Sequence, residues 1–204
     1  YSFCMCPGGF IVPAATAPGE VVVNGMSPSK RNNLYANSGI VVEINVDTDI
    51  PKYEKFGALK GLEYQKDLER LAFTSGGRTQ TAPAQRLTDF VDGNLSVDLN
   101  PTSYQPGLKS APLHSLLPKL IGSRLRQGFK AFGDKMHGYY TAEANIVGVE
   151  SRTSSPVSIP RNEKLEHPDI KGLFPCGEGG GYAGGIVSAA MDGERCAEAA
   201  MKGL

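Results

Sequence analysis

The stretch that decides how this chain is organised runs from Pro175 to Gly193 and reads PCGEGGGYAGGIVSAAMDG. Inside it, three glycines follow the pattern G-x-G-x-x-G: Gly179, Gly181 and Gly184. This spacing is typical of a dinucleotide-binding turn, which needs a strand before it and a helix after it. Residues 170–174, IKGLF, predict a short strand, and residues 186–204 predict a helix. The context that the motif requires is therefore present in the sequence.

The turn does not predict a complete nucleotide-binding fold. Such a fold has an acidic residue on a second strand about 20 residues after the glycines, but only 20 residues follow Gly184 and they predict a helix. A glycine-rich helix entry packed against a sheet is the alternative. Six glycines in nine residues favour close approach of the backbone to a ligand, because ordering glycine is costly. A helix N-terminus attracts an anionic or electron-rich group.

Composition indicates a packed globular chain. The 204 residues are 40% hydrophobic, and 21 basic residues balance 21 acidic ones. Neutral charge gives no indication of nucleic acid or of an anionic membrane as partner, and no apolar run approaches the roughly 20 residues of a membrane span. Four cysteines are typical of a cytoplasmic protein, and their spacing predicts no metal site. Because the chain begins at Tyr1, we expect a piece of a longer protein.

The order of elements predicts an α+β fold. Residues 1–50 predict strands, and residues 57–75 predict a helix with one apolar face. Residues 113–136 predict a second helical region, split or kinked by Pro118 and Gly122. Strands return after Tyr140, and a polar connector then leads to the predicted strand, glycine-rich turn and helix.

Two further clusters are candidates for chemistry. Cys4 and Cys6 are either a redox or nucleophilic pair or two small side chains in a tight loop, and a disulfide between them would be strained. Arg152 and Ser154 lie in ESRTSSP and either recognise a substrate or flavin or satisfy neighbouring backbone. The segment RTQTAPAQR, residues 78–86, predicts a solvated loop, with anion binding by its arginines as the alternative.

Several segments resemble one family. The closing GLFPCGEGGGYAGGIVSAAMDG is similar to the end of FAD-dependent oxidoreductases of the two-dinucleotide-binding-domain superfamily. The best resemblance is to its uncharacterised FAD-dependent, or NAD(FAD)-utilising, dehydrogenases. It extends over nearly the whole chain, through YSFCMCPGG, VVVNGMSPSKRNNLYANSGIVV, RTQTAPAQRLTDF, SYQPG and VESRTSSPVSIPR.

The resemblance implies a division of the chain. Residues 1–160 would form an inserted substrate-side α+β domain. Residues 165–204 would supply the C-terminal strand, glycine-rich turn and helix of a divided, Rossmann-like FAD-binding domain, whose N-terminal βαβ unit is the missing partner. The expected cofactor-binding residues are those of the turn: Gly177, Glu178, Gly179, Gly180, Gly181, Gly184, Gly185 and Ile186.

The implied activity is hydride or electron transfer through FAD to or from a small-molecule substrate, with NAD(P)H as a plausible reductant. This chain alone is not expected to retain FAD. Two alternatives stay open: a non-catalytic substrate-side or interaction module of a protein that uses FAD structurally, and flavin-dependent RNA modification, which the neutral charge disfavours. Low-priority catalytic candidates are Cys4, Cys6, Arg152 and Ser154.

Overall fold

The structure is a computed structural model, and it describes residues 1–202. Gly203 and Leu204, the last two residues of the predicted 165–204 segment, lie outside the described residues. The fold is α+β, as predicted, with small sheets and five α-helices among the described residues. The chain divides into two compact units: Tyr1–Asp49 with Lys66–Ser151, and Ile50–Gln65 with the residues from Arg152 onward. Whether residues 1–160 and 165–204 serve substrate and FAD respectively stays a prediction.

The N-terminal strands form two antiparallel pairs. Strand β1 (Ser2–Cys6) pairs with β4 (Asn37–Ile40), and β2 (Phe10–Pro13) pairs with β3 (Val23–Met26). The strands predicted for residues 1–50 end at Ile40. Residues 41–45 have no regular structure and residues 46–48 form a turn, where the Asn45 carbonyl and side chain accept from nearby N–H groups.

The central sheet of the first unit corrects one prediction. Segment 78–86 was predicted as a solvated loop, yet Ala82–Arg86 forms strand β5, between β6 (Leu108–Ser110) and β7 (Asn145–Val147). Strand β5 runs parallel to β6 and antiparallel to β7. The first four residues of β5 are buried. Small alanines allow this close packing, and Pro83, which has no N–H, still accepts a bond from Gly148.

Gln85 is the polar residue because of which a hydropathy pattern does not predict β5 as a buried strand. Its side chain is fully buried, and its amide nitrogen donates to the Asn94 carbonyl and contacts His114 Nδ1 at 2.8 Å. Its amide oxygen accepts the His114 backbone N–H at 3.2 Å. Because every polar atom of this amide has a partner, burial of Gln85 carries no unpaired group.

Three helices of the first unit pack around one hydrophobic core. They are α2 (Leu87–Asp92), α3 (Leu113–Leu116) and α4 (Lys119–Lys135), so the predicted break falls at Pro118, whereas Gly122 continues the helix. Their shared core consists of Leu87, Phe90, Val91, Leu113 and Phe129. Phe90 is fully buried and meets Phe129 edge to face, with ring centroids 6.1 Å apart.

A 3₁₀ stretch (Pro51–Leu59) leads into helix α1 (Lys60–Ser75), and Ile186–Lys202 forms helix α5. Helices α1 and α5 were both predicted. The strand predicted for residues 170–174 is wrong: these residues form bends and turns. Their backbone pairs locally, since Leu173 donates to Ile170 and accepts from His167. A strand needs a neighbouring strand for its ladder, and within the described residues this segment has none.

Candidate functional site

An ion pair inside the second unit holds the start of the glycine-rich turn. Asp192, on the first half of α5, accepts from both terminal nitrogens of Arg161, at 2.8 and 2.9 Å. The same carboxylate accepts the backbone N–H of Gly177 at 2.9 Å. The side chains of Arg161 and Asp192 are only 11% and 7% exposed. This bidentate pair therefore joins α5, the residues before the turn and the turn's first glycine.

Arg161 extends this network to the other side of the turn. Its Nη1 also donates to the Pro175 carbonyl at 2.9 Å. Its guanidinium carbon lies 3.6 Å from the ring centroid of Tyr182, which is a cation–π contact. The Tyr182 hydroxyl in turn donates to the Ile159 carbonyl at 2.7 Å. Arg161 is therefore a positioning residue for both ends of the turn.

The ion pair sets an acid dependence. Hydrogen bonds from Arg161 and Gly177 lower the pKa of Asp192 to about 2, from an ordinary 3.8. Ionised Asp192 therefore stabilises the folded state fully above roughly pH 4, and this stabilisation is lost as the pH falls through about 2. We expect Asp192→Asn to lose less stability than the parent between roughly pH 4 and 2, measured as urea midpoints against pH. Parallel curves for the two proteins would contradict this prediction.

The glycines of the turn fall into two groups. At Gly180 and Gly181 an added Cβ would come within 2.9 Å of the Cys176 carbonyl oxygen and 2.8 Å of the Val157 carbonyl oxygen, so the fold itself requires glycine. Gly181 also has a φ of +84°, which side-chain-bearing residues rarely adopt. At Gly179 and Gly184 an added Cβ would meet nothing within 4 Å. Packing inside the described chain does not explain these two glycines.

The turn leads into a helix whose first residues face solvent. Ile186 and Val187 are 92% and 71% exposed, and Met191 and Met201 are exposed further along the helix. Of the residues of α5, Asp192 and Cys196 are buried. The sheet that a glycine-rich helix entry would pack against is absent from this unit, because no strand lies within residues 152–202. The apolar side of α5 is thus open in this chain.

Cys4 and Cys6 lie together on one side of β1, with a carboxylate beside them. Cys4 Sγ and Glu150 Oε2 lie 3.3 and 2.3 Å from the position that a Cβ on Gly39 would take. Burial raises the pKa of the Cys6 thiol, and the nearby Cys4 and Glu150 add to the effect. Burial also raises the pKa of Glu150. A nucleophilic thiol needs electropositive surroundings, so the Cys6 thiol is better suited to remain protonated.

Arg152 and Ser154 are both exposed. The adjacent Ser155 lies against the turn, with its hydroxyl 3.4 Å from the Gly179 carbonyl oxygen. Arg86, one of the arginines of the anion-binding alternative, pairs with Asp98 at 2.9 Å and donates to the Ala142 carbonyl at 3.1 Å. The Arg86 guanidinium therefore binds the segments that contain Asp98 and Ala142. Within residues 1–202 no group of three side chains could hold a metal ion. The helices of the same residues include none with the length and hydropathy of a membrane span.

Sequence reasoning missed the residue pair that shapes the turn. Arg161 lies in the polar connector and Asp192 in the final predicted helix, neither was assigned a role, and 31 residues separate them. Charge at those positions is ordinary for exposed residues. The available indication was the position of Asp192 four residues before Cys196 within a helix of small side chains, which places both on one side of the helix.

Comparison with known proteins gives the family. The model of a family described as FAD-dependent protein, C-terminal domain-like, matches residues 1–153. An uncharacterized protein of Clostridium beijerinckii (strain ATCC 51743 / NCIMB 8052) is 42% identical over 200 residues. That alignment covers 97% of this chain and 37% of the relative, so the chain spans little more than a third of the relative's length. This chain belongs to the FAD-dependent protein, C-terminal domain-like family.

Proposed function

We propose that this chain is the C-terminal part of an FAD-dependent oxidoreductase. In this proposal the glycine-rich turn contacts FAD, while the first unit faces the substrate. Family membership supports the cofactor, because the family is described as FAD-dependent. The observation that carries the proposal is the open space at Gly179 and Gly184, where an added Cβ meets nothing within 4 Å. Close approach of a ligand gives a physical reason for glycine at both positions.

The residues of the turn fit such a ligand chemically. The first backbone N–H groups of a helix have no partner inside the helix, and α5 begins at Ile186, directly after the glycines. The positive end of the helix favours a pyrophosphate or the electron-rich end of a flavin. Glu178 is half-buried just before the open glycines, where its carboxylate is suited to accept a bond from a ribose or ribityl hydroxyl. Gly177, Gly180, Gly181 and Gly185 would shape the turn around these contacts.

The rest of the FAD site would come from the longer protein. The relative is more than twice as long as the matched region, and the exposed apolar side of α5 offers a surface for additional structure. We propose that an N-terminal βαβ unit covers α5 and completes a divided, Rossmann-like FAD-binding domain.

The proposed reaction is hydride or electron transfer, with NAD(P)H as reductant and a small molecule as substrate in the cytoplasm. FAD would supply the redox chemistry. This chain would orient the cofactor through the turn and favour negative charge near the N-terminus of α5. The first unit would exclude water and recognise the substrate.

Flavin titration tests this proposal. We expect the 204-residue chain to bind FAD weakly, with a dissociation constant above roughly 10 μM, because the contacts of one turn must offset several kcal/mol of lost cofactor freedom. The complete reading frame is expected to purify yellow, with bound FAD. Isothermal calorimetry and quenching of flavin fluorescence measure both proteins. A colourless complete protein would contradict the proposal. Submicromolar binding by the 204-residue chain would contradict the proposal that the longer protein completes the FAD site.

A further inference from the structure

A second thiol pair lies at the base of the glycine-rich turn. Cys196, on α5, is buried, and its thiol lies 3.7 Å from the carbonyl oxygen of Pro175. Pro175 directly precedes Cys176, which is exposed. The Cys196 thiol therefore lies beside the backbone of the residue next to Cys176. The two cysteines are 20 positions apart in the sequence, and the fold brings their segments together.

A cation lies beside the buried member of this pair. Arg161 Nη1 lies 3.3 Å from the Cys196 sulfur, and a guanidinium stabilises a thiolate. Burial raises the pKa of the Cys196 thiol, the Arg161 contact partly offsets this rise, and the Asp192 carboxylate adds to it. The exposed Cys176 can meet a small oxidant in solution, and the buried Cys196 lies behind it. This is the arrangement of an attacking thiol and a resolving thiol.

The Cys4 and Cys6 pair provides a comparison within the same molecule. Both residues belong to one strand, so their Cα atoms are about 6.6 Å apart at the usual rise per residue. This separation is at the upper end of the range that a disulfide tolerates. The surroundings also differ, because the carboxylate of Glu150 lies near Cys4, whereas Arg161 contacts Cys196. Of the two pairs, the Cys176–Cys196 pair is the better placed to form a disulfide.

We infer that Cys176 and Cys196 form a reversible disulfide by exchange with low-molecular-weight disulfides such as oxidised glutathione. The Cys176 thiolate attacks one sulfur of oxidised glutathione, whose S–S bond breaks and releases one glutathione thiolate. The Cys196 thiolate then attacks Cys176 in the mixed disulfide and releases the second glutathione. The two departing thiolates take up the two protons that the cysteines lose, so two thiols and one disulfide give one disulfide and two thiols.

The product would link the residue before the first glycine of the turn directly to α5. The Arg161–Asp192 pair already joins the same two segments, so the cross-link would connect parts of the chain that are already in contact. Excess reduced glutathione reverses the exchange. This inference does not depend on FAD, and the 204-residue chain suffices to test it.

The test counts and maps thiols. The 204-residue chain is incubated with oxidised glutathione, alkylated in denaturant without reductant, digested and analysed by mass spectrometry. We expect two thiols to be lost, both mapping to a linked Cys176–Cys196 peptide, while Cys4 and Cys6 remain alkylated. The oxidised chain is expected to melt several degrees higher, and tenfold excess of reduced glutathione should remove the shift. Loss of Cys4 and Cys6 instead, or glutathione retained on Cys176, would overturn the inference.

Two variants sharpen this test. Cys196→Ser is expected to leave glutathione on Cys176, because no resolving thiol remains. Cys176→Ser changes an exposed residue and should fold normally, and it is expected to leave Cys196 unmodified because that thiol is buried. The double variant Cys4→Ser/Cys6→Ser serves as the matched control and should form the cross-link as the parent does. Glutathionylation of Cys196 in the Cys176→Ser variant would contradict the assigned order of attack.

Discussion

Replacing Asp192 with alanine is expected to lower the free energy of unfolding by about 3 to 5 kcal/mol, the cost of removing one partner of a buried ion pair. The change leaves the Arg161 guanidinium, which is 11% exposed, without its bidentate partner. It also leaves the Gly177 N–H without its acceptor. Urea unfolding followed by far-ultraviolet circular dichroism measures the loss. The glycine-rich turn should lose its order together with α5.

Two further variants identify the cause of this loss. Glu194→Ala changes an exposed carboxylate on the same helix and is expected to shift stability by less than about 0.5 kcal/mol. The double variant Arg161→Leu/Asp192→Leu removes both charges and should recover part of the loss, because no unpaired charge remains buried. A loss below about 1 kcal/mol for Asp192→Ala would show that the pair is not buried in solution.

The second large effect is expected at Gly184. In the complete reading frame, Gly184→Val should weaken FAD binding at least tenfold, because its side chain would occupy space that the proposed cofactor needs. Apart from its chain neighbours, no described residue lies within 4 Å of a Cβ added at Gly184, so the fold itself should tolerate the change. Calorimetry with FAD and thermal melting of the FAD-free protein measure the two properties separately.

Two other glycines serve as contrasts. Gly181→Val should lower the melting temperature of the FAD-free protein as well, since Gly181 has a φ of +84° and contacts the Val157 backbone. Gly128 lies in α4, and a Cβ there also meets nothing within 4 Å, so Gly128→Val should leave FAD binding unchanged. Equal FAD affinity in the Gly184→Val variant and the parent would remove the turn from the cofactor site.

The sequence predicted those elements whose pattern is local. Helices α1 and α5 follow from apolar spacing, and the break before α4 follows from Pro118. Strand β5 was missed because its burial depends on partners far along the chain: Asn94 and His114 satisfy Gln85. A hydropathy pattern treats Gln85 as a surface residue, since local composition carries no information on distant hydrogen-bond partners.

The candidate site also combines features that a local motif predicts with features that depend on contacts between distant residues. The glycines and the start of α5 were predicted from motif spacing, and the structure places them in one turn. The Arg161–Asp192 pair and the Cys176–Cys196 pair depend on how the connector folds back on α5, and neither has a local motif. The strand predicted for residues 170–174 was wrong for the opposite reason, because its local pattern was suitable but no neighbouring strand lies in the described chain.

The network around Arg161 has a kinetic consequence. A loop that is disordered before binding must stop moving when its ligand arrives, which slows productive encounters and reduces affinity. Here the Gly177 N–H, the Pro175 carbonyl and the Tyr182 ring are held by one guanidinium and one carboxylate. A ligand that contacts this turn would therefore meet backbone that is already held in place. Association at this surface should therefore be limited by diffusion and orientation rather than by loop closure.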